Sequence, residues 1–178
     1  MALPWKMQDS STPVKFQPGM KAVAGYIGGD TPHVWTPLEW ERYKGIPKLP
    51  IFVRSTPGTV AEGRDDGWIA VQQLFALGVP KGKAVAYDKE TDISPAQVLG
   101  FRLVVEWAGY RVWVYGSRDF VFRNPSRNYW PADYTNVPHW PTRNSRACQY
   151  SGNVSTPDGA IDISCIRWWQ IRSGKLWT

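Results

Sequence analysis

The sequence predicts an α/β protein built on a parallel sheet. Three observations carry this. Apolar runs that read as strands alternate with amphipathic stretches that read as helices, four times between Lys21 and Ser117. Two of the helices open on the same start signal, an N-cap hydroxyl followed by proline and a capping-box partner: Thr36-Pro37-Leu38-Glu39 and Ser94-Pro95-Ala96-Gln97. Strands joined through helices need right-handed crossovers, which make the neighbouring strands parallel. Four such units fit an open doubly wound sheet or half of a β/α barrel.

Residues 1–20 carry Pro4, Pro13 and Pro18 and read as an irregular arm. Lys21 to Gly29 is the first strand, ending in glycines where backbone must pass close to something. The Thr36 helix stops near Gly45. Lys48 to Ser55 is the second strand, broken by Thr56-Pro57-Gly58. A helix from Gly63 to Leu77 follows, with Trp68, Val71, Leu74, Phe75 and Leu77 as its apolar stripe. Gly78 ends it and Pro80 prevents its continuation.

Lys83 to Glu90 is the third strand. It runs out into Asp88 and Glu90, which share a face and whose backbones sit roughly 6.7 Å apart along the strand. The Ser94 helix reaches Ala108 and ends at Gly109, and Arg111 to Ser117 is the fourth strand. Beyond it the rhythm changes. A helical turn or two falls in Phe120 to Trp130. Short extended pieces then cover Tyr134 to Val137, His139 to Thr142, Arg146 to Ser151 and Ile161 to Ile166, and Ser173 to Thr178 is a tail.

Bulk properties narrow the function. A length of 178 residues implies one domain, and a hydrophobic fraction of 43% supports a sizeable core. No apolar run is long enough to span a membrane, and Met1 to Gln17 lacks the pattern of a signal peptide. The expectation is therefore a protein that is cytoplasmic, or virion-associated or extracellular after delivery by another carrier. A net charge of +6 suits an anionic surface such as an acidic wall polymer. The basic residues are scattered, so no nucleic-acid partner and no membrane partner is expected. Eleven tryptophans offer flat surfaces for stacking on sugar rings, although at least half of them read as core. Gly25-x-x-Gly28-Gly29 is not a dinucleotide fingerprint, and no Walker-type lysine follows.

No metal-ligand spacing is present, and His33 and His139 stand alone, so neither metal nor cofactor is expected. Cys148 and Cys165 have opposite parity to Gln149 and Asp162 on their strands. They read as two buried thiols under the helix layer in preference to a disulfide.

Several stretches in this order resemble the lysozyme-like β/α-barrel glycosidases. They are Gly78-Val79-Pro80, Ala84-Val85-Ala86-Tyr87-Asp88, Val112-Trp113-Val114-Tyr115-Gly116-Ser117, His139-Trp140, Cys148-Gln149-Tyr150-Ser151 and Ala160-Ile161-Asp162-Ile163-Ser164-Cys165-Ile166. The nearer likeness is to a glycoside-hydrolase-like domain of bacteria and phages, the more distant one to glycoside hydrolase family 25 muramidases. The likeness covers about residues 21–167, leaving 1–20 as the arm and 168–178 as a C-terminal tail.

The resemblance implies a compressed (β/α)8-type TIM barrel with reduced helices in its C-terminal half, below the usual lower edge of ~200 residues. It implies a site at the C-terminal ends of the strands, acting on a peptidoglycan-type polysaccharide. Glu90 is expected as general acid, Asp88 as the ionised group that orients an N-acetyl group or stabilises an oxocarbenium-like transition state, and Asp162 as a third acid. Tyr26, Tyr115, Gln149 and Tyr150 are expected to hydrogen-bond sugar hydroxyls, with Trp113 and Trp140 as apolar walls. Those muramidases also end their first strand in Asp, and here Tyr26 stands at that place. This departure motivates a competing expectation: a non-catalytic carbohydrate-binding or structural module of a phage tail, with other virion proteins as partners. On the bland reading Asp88 and Glu90 are a solvated strand end or pair with Lys89, Arg54 or Arg118, and Asp162 pairs with an arginine.

Overall fold

The computed structural model describes residues 4–89, 94–123, 128–141 and 145–178. Its strands are β1 (Trp5–Asp9), β2 (Met20–Gly29), β3 (Lys48–Val53), β4 (Ala84–Lys89), β5 (Arg111–Ser117), β6 (Tyr129–Ala132), β7 (Ala147–Thr156) and β8 (Gly159–Ile166). They close into one barrel in sequence order. Strands β1 to β7 run parallel to one another, whereas β8 runs antiparallel to both β7 and β1. The helices are α1 (Pro37–Glu41), α2 (Val60–Ala76), α3 (Pro95–Trp107), α4 (Arg118–Arg123) and α5 (Trp168–Arg172).

The barrel is therefore mixed, not the all-parallel (β/α)8 arrangement expected. Among the described residues no helix lies between β1 and β2 or between β6 and β7, and a two-residue turn joins β7 to β8. In place of a first helix, the segment after β1 lies over the outer face of that strand. Gln8 accepts from the Gln17 N–H at 2.8 Å, and the Tyr43 hydroxyl donates to the Val14 carbonyl.

The segment expected as an irregular arm thus contains the first barrel strand. Pro4 sits just before it, and Pro13 and Pro18 fall after it, so no proline interrupts its hydrogen bonds. The expected tail also belongs to the body. Leu176 is buried, and Lys48 and Trp177 exchange backbone hydrogen bonds at 2.6 and 3.0 Å, closing the lower end.

The barrel interior is filled by alternating residues of each strand. Trp113 and Trp130 occupy its centre, and Ala22, Ala24, Ala84, Ala86 and Ala147 leave room for them. A second core lies between barrel and helices, around Phe52, Tyr87, Phe101, Trp35 and Trp40. Tyr87 and Phe101 stack there with centroids 4.0 Å apart.

Helix α2 starts at Val60, three residues before the expected Gly63, because Thr59 and Glu62 form a capping box. Its buried face is Gly63, Asp66, Gly67, Ala70 and Leu74; of the expected stripe Leu74 is buried and Val71 and Leu77 pack against the core, whereas Trp68 and Phe75 face outward, Phe75 81% exposed. Small residues win because α2 and α3 pack almost backbone to backbone. A methyl group added at Gly100 would lie 2.1 Å from the Val60 carbonyl oxygen, and one at Gly63 2.0 Å from that of Gln97.

One polar network lies buried in this layer. Asp66 accepts from the Arg54 guanidinium and, at 2.7 Å, from the Tyr87 hydroxyl. Arg54 also reaches Asp30 at 2.9 Å, and its backbone N–H donates to the Asp88 carbonyl at 2.9 Å. Lys89 donates to Gln97 at 3.0 Å, and burial pushes its amine down to about 7.

Removing Asp66 leaves the Tyr87 hydroxyl unpaired and takes from Arg54 the buried one of its two carboxylate partners. Asp66→Ala is expected to cost about 3–5 kcal/mol, the range for breaking one side of a buried pair, read from the shift of the urea unfolding midpoint.

Candidate functional site

The reversed direction of β8 decides which residues meet at the barrel mouth. The parallel strands point their C-terminal ends there, and β8 brings its N-terminal half to the same end. Asp9, the last residue of β1, lies directly opposite Asp162, the fourth of β8. Asp88 lies near the end of β4, paired with Val53 on one side and Tyr115 on the other.

These residues line one cavity of about 270 Å³, together with Tyr26, Ile51, Trp130, Ala132 and Tyr134. That volume falls just below the ~300–1,000 Å³ usual for small-molecule sites.

The sequence reading took β2 for the first strand and so found Tyr26 where an acid was called for. The first strand is β1, and it ends in Asp9. A signal was present: Trp5, Met7 and Asp9 alternate with Lys6 and Gln8, a two-residue period. Tyr26 itself lines the cavity as an additional group.

The three carboxylates are held differently. Asp162 accepts at both oxygens, from Gln149 Nε2 at 2.8 Å and from the Asn153 N–H at 2.7 Å. The Asn153 amide is free to do this because the β7–β8 register is broken between Ser151 and Val154. Asp88 is 3% exposed. Asp9 is 4% exposed, and its Oδ2 has no hydrogen-bond partner among the described residues. Burial, followed by the charges of Asp162 and Asp88, holds the Asp9 carboxyl well above its usual 3.8. Asp9 thus favours its protonated form more than a free carboxyl does, beside two further carboxyl groups.

Tyrosines complete the rim. Tyr115 and Tyr134 hydroxyls lie 3.3 Å apart, and Tyr134 also accepts from Gln149 at 3.3 Å. Burial, and then the Asp88 charge, raises the Tyr115 phenol, so it stays a neutral donor. Trp130 packs edge-on against Tyr115 at 4.8 Å and donates to Ser164 at 2.9 Å. The sequence reading singled out neither Asp9 nor Tyr134. Nothing local marks Tyr134, which enters only through the chain's return after β6.

Of the expected binding residues, Tyr26 and Tyr115 line the cavity. Gln149 stands behind it and holds Asp162. Trp113 is buried in the barrel interior, below the mouth. Tyr150 is buried with the opposite parity to Gln149, and Trp140 is half exposed on the segment after Tyr134. Glu90, the expected general acid, lies outside the described residues. Cys148 and Cys165 are register partners and both are free buried thiols. Burial raises both.

The sequence matches no protein-family model and no curated protein. Its fold matches solved structures at low sequence identity. An uncharacterised protein of B. stearothermophilus aligns at a TM-score of 0.78 and 19% identity, over 97% of this chain and all of that one. A glycosyl hydrolase 25 of Streptococcus pneumoniae, the virulence factor GHIP, aligns at 0.69 and 13%, over 97% of this chain and 92% of that one. The modular autolysin LytC of Streptococcus pneumoniae, solved with a synthetic peptidoglycan ligand, aligns at 0.68 and 16%, over 90% of this chain and 46% of that one. The barrel therefore shares its fold with a glycosyl hydrolase 25 and with the LytC autolysin, at 13–16% sequence identity.

The raised Asp9 carboxyl carries a stability signature. Above 3.8 the unfolded chain releases this proton while the folded protein keeps it. Asp9 therefore makes stability fall as pH rises from about 4 toward its folded value. Asp9→Asn removes that fall, so the variant is expected to unfold at a higher temperature than wild type at neutral pH, with the gap closing near pH 4. Calorimetric melts across that range measure it.

Proposed function

We propose that the protein hydrolyses glycosidic bonds of a peptidoglycan-type polysaccharide at the barrel mouth. The observation that carries this reading is the convergence of Asp9, Asp88 and Asp162 on one cavity, with Asp9 buried. The fold likeness to GHIP and LytC supports the substrate class.

In this reading one sugar ring of the chain enters the cavity against Tyr115 and Trp130. Tyr26 and the Tyr115–Tyr134 pair meet its hydroxyls. Glu90 follows Asp88 by two positions and, as the general acid, protonates the leaving oxygen. Asp88 and Asp162 face the anomeric centre, where negative charge stabilises an oxocarbenium-like transition state. Asp9 holds its proton against Asp162 and Asp88, which keeps the cluster from carrying its full negative charge before substrate arrives. The surface charge of +6 draws the protein to an anionic wall. The missing first-strand acid is one motive for the non-catalytic reading, and Asp9 supplies an acid at the end of the first strand.

Release of reducing sugar from purified bacterial walls tests the proposal. Glu90→Gln and Asp88→Asn should each lower the rate by at least ~10²-fold while leaving wall binding intact, the scale of a lost acid–base or charge-stabilising group. Release at the wild-type rate from both variants, or no release by the wild type from any wall, contradicts it.

A further inference from the structure

A second cluster lies on the other side of the barrel wall from Gln149. The chain leaves β6 at Ala132 and crosses the outer surface before joining β7. Asp133 stands at the start of this crossing and His139 near its end. Cys148 is the second residue of β7, with the opposite parity to Gln149. The His139 Nε2 lies 3.1 Å from Cys148 Sγ and 3.6 Å from Asp133 Oδ2. One ligand atom from each of the three residues falls within 4.8 Å of the others.

The imidazole is oriented by its other nitrogen. Nδ1 lies 3.0 Å from the Val137 carbonyl and 3.2 Å from the Thr135 hydroxyl. A carbonyl only accepts, so this contact assigns the ring proton to Nδ1 and leaves a lone pair on Nε2. That lone pair faces a carboxylate oxygen and a sulfur. A ring nitrogen fixed by a backbone carbonyl on its far side is the arrangement that presents imidazole to a metal.

The alternative chemistry for these residue types is a nucleophilic relay. It requires the thiol and the carboxylate on opposite nitrogens of the ring. Here both stand on the Nε2 side, so the carboxylate cannot orient the imidazole for attack.

We propose that Asp133, His139 and Cys148 bind a divalent transition-metal ion of the zinc class. Tetrahedral coordination at bond lengths of about 2.0–2.3 Å places donors roughly 3.3–3.8 Å apart. The contacts of 3.1 and 3.6 Å lie near that spacing, and the Asp133–Cys148 pair, within 4.8 Å, closes by at most about 1 Å to reach it. Thiolate with imidazole selects zinc over magnesium or calcium. One thiolate and one carboxylate neutralise the dication, and Cys148 releases its proton on binding. Asp133 and His139 are about one-third exposed, which gives the ion access and leaves its fourth position to water.

The ion fastens the crossing segment to β7 where, among the described residues, no helix covers the barrel. That segment carries Tyr134, so the same clamp fixes one wall of the mouth. The sequence concealed the site because its donors are spaced D-x5-H-x8-C across two elements.

Cobalt(II) titration of chelator-treated, reduced protein tests this. Wild type should bind one equivalent, with a thiolate-to-cobalt charge-transfer band and the intense visible bands of four-coordination, and zinc should displace it. His139→Ala and Cys148→Ser should abolish the charge-transfer band, Asp133→Asn should weaken cobalt binding at least tenfold, and Cys165→Ser should leave the spectrum unchanged. The wild-type spectrum decides the matter even where a variant misfolds. No charge-transfer band in wild type, its survival in Cys148→Ser, or its loss only in Cys165→Ser overturns the proposal.

Discussion

The antiparallel pairing of β8 with β1 is the constraint on which the mouth of this barrel depends. It closes the sheet with a strand that needs no crossover helix. It also turns β8 so that its early residues reach the end where the parallel strands finish. Asp162 then stands opposite Asp9 across one rung of the ladder. Two carboxyl groups so placed do not ionise together without cost, and burial favours the proton on Asp9. The chemistry proposed for the site thus follows from a topological choice.

Asp88 is placed by a different device. Arg54 pairs with buried Asp66 through its side chain and holds the Asp88 carbonyl through its backbone. The end of β4 is thereby tied to the layer between β3, α2 and α3. That layer is tight because glycines at 63 and 100 let the two helices touch. A polar network beneath small-residue helix packing fixes one acid, and a broken β7–β8 register fixes another through Asn153.

Much of the barrel was legible in the sequence. The strands ending at Gly29, Val53, Lys89 and Ser117 announce themselves by apolar runs, and α1 and α3 by their capping signals. Asp88 was visible as an acid at a strand end, and Asp162 through the family resemblance. What escaped had physical reasons. Strand β1 has five residues among prolines, so its alternation of Trp5, Met7 and Asp9 is short. Apart from Leu74, the buried face of α2 is made of glycine, alanine and aspartate, which carry no hydrophobic signal. Trp68 and Phe75 drew the eye to the wrong side. Tyr134 and the Asp133–His139–Cys148 cluster arise from the chain's return across β7, which no local pattern encodes.

The central claim is that the cavity bounded by Asp9, Asp88 and Asp162 receives a sugar chain. A crystal structure of the Glu90→Gln variant soaked with a peptidoglycan oligosaccharide tests it most directly. The account predicts a sugar ring stacked at Tyr115 and Trp130, with a glycosidic oxygen beside the acid cluster. An oligosaccharide seated elsewhere on the surface, with the acid-lined mouth left to solvent, would contradict it.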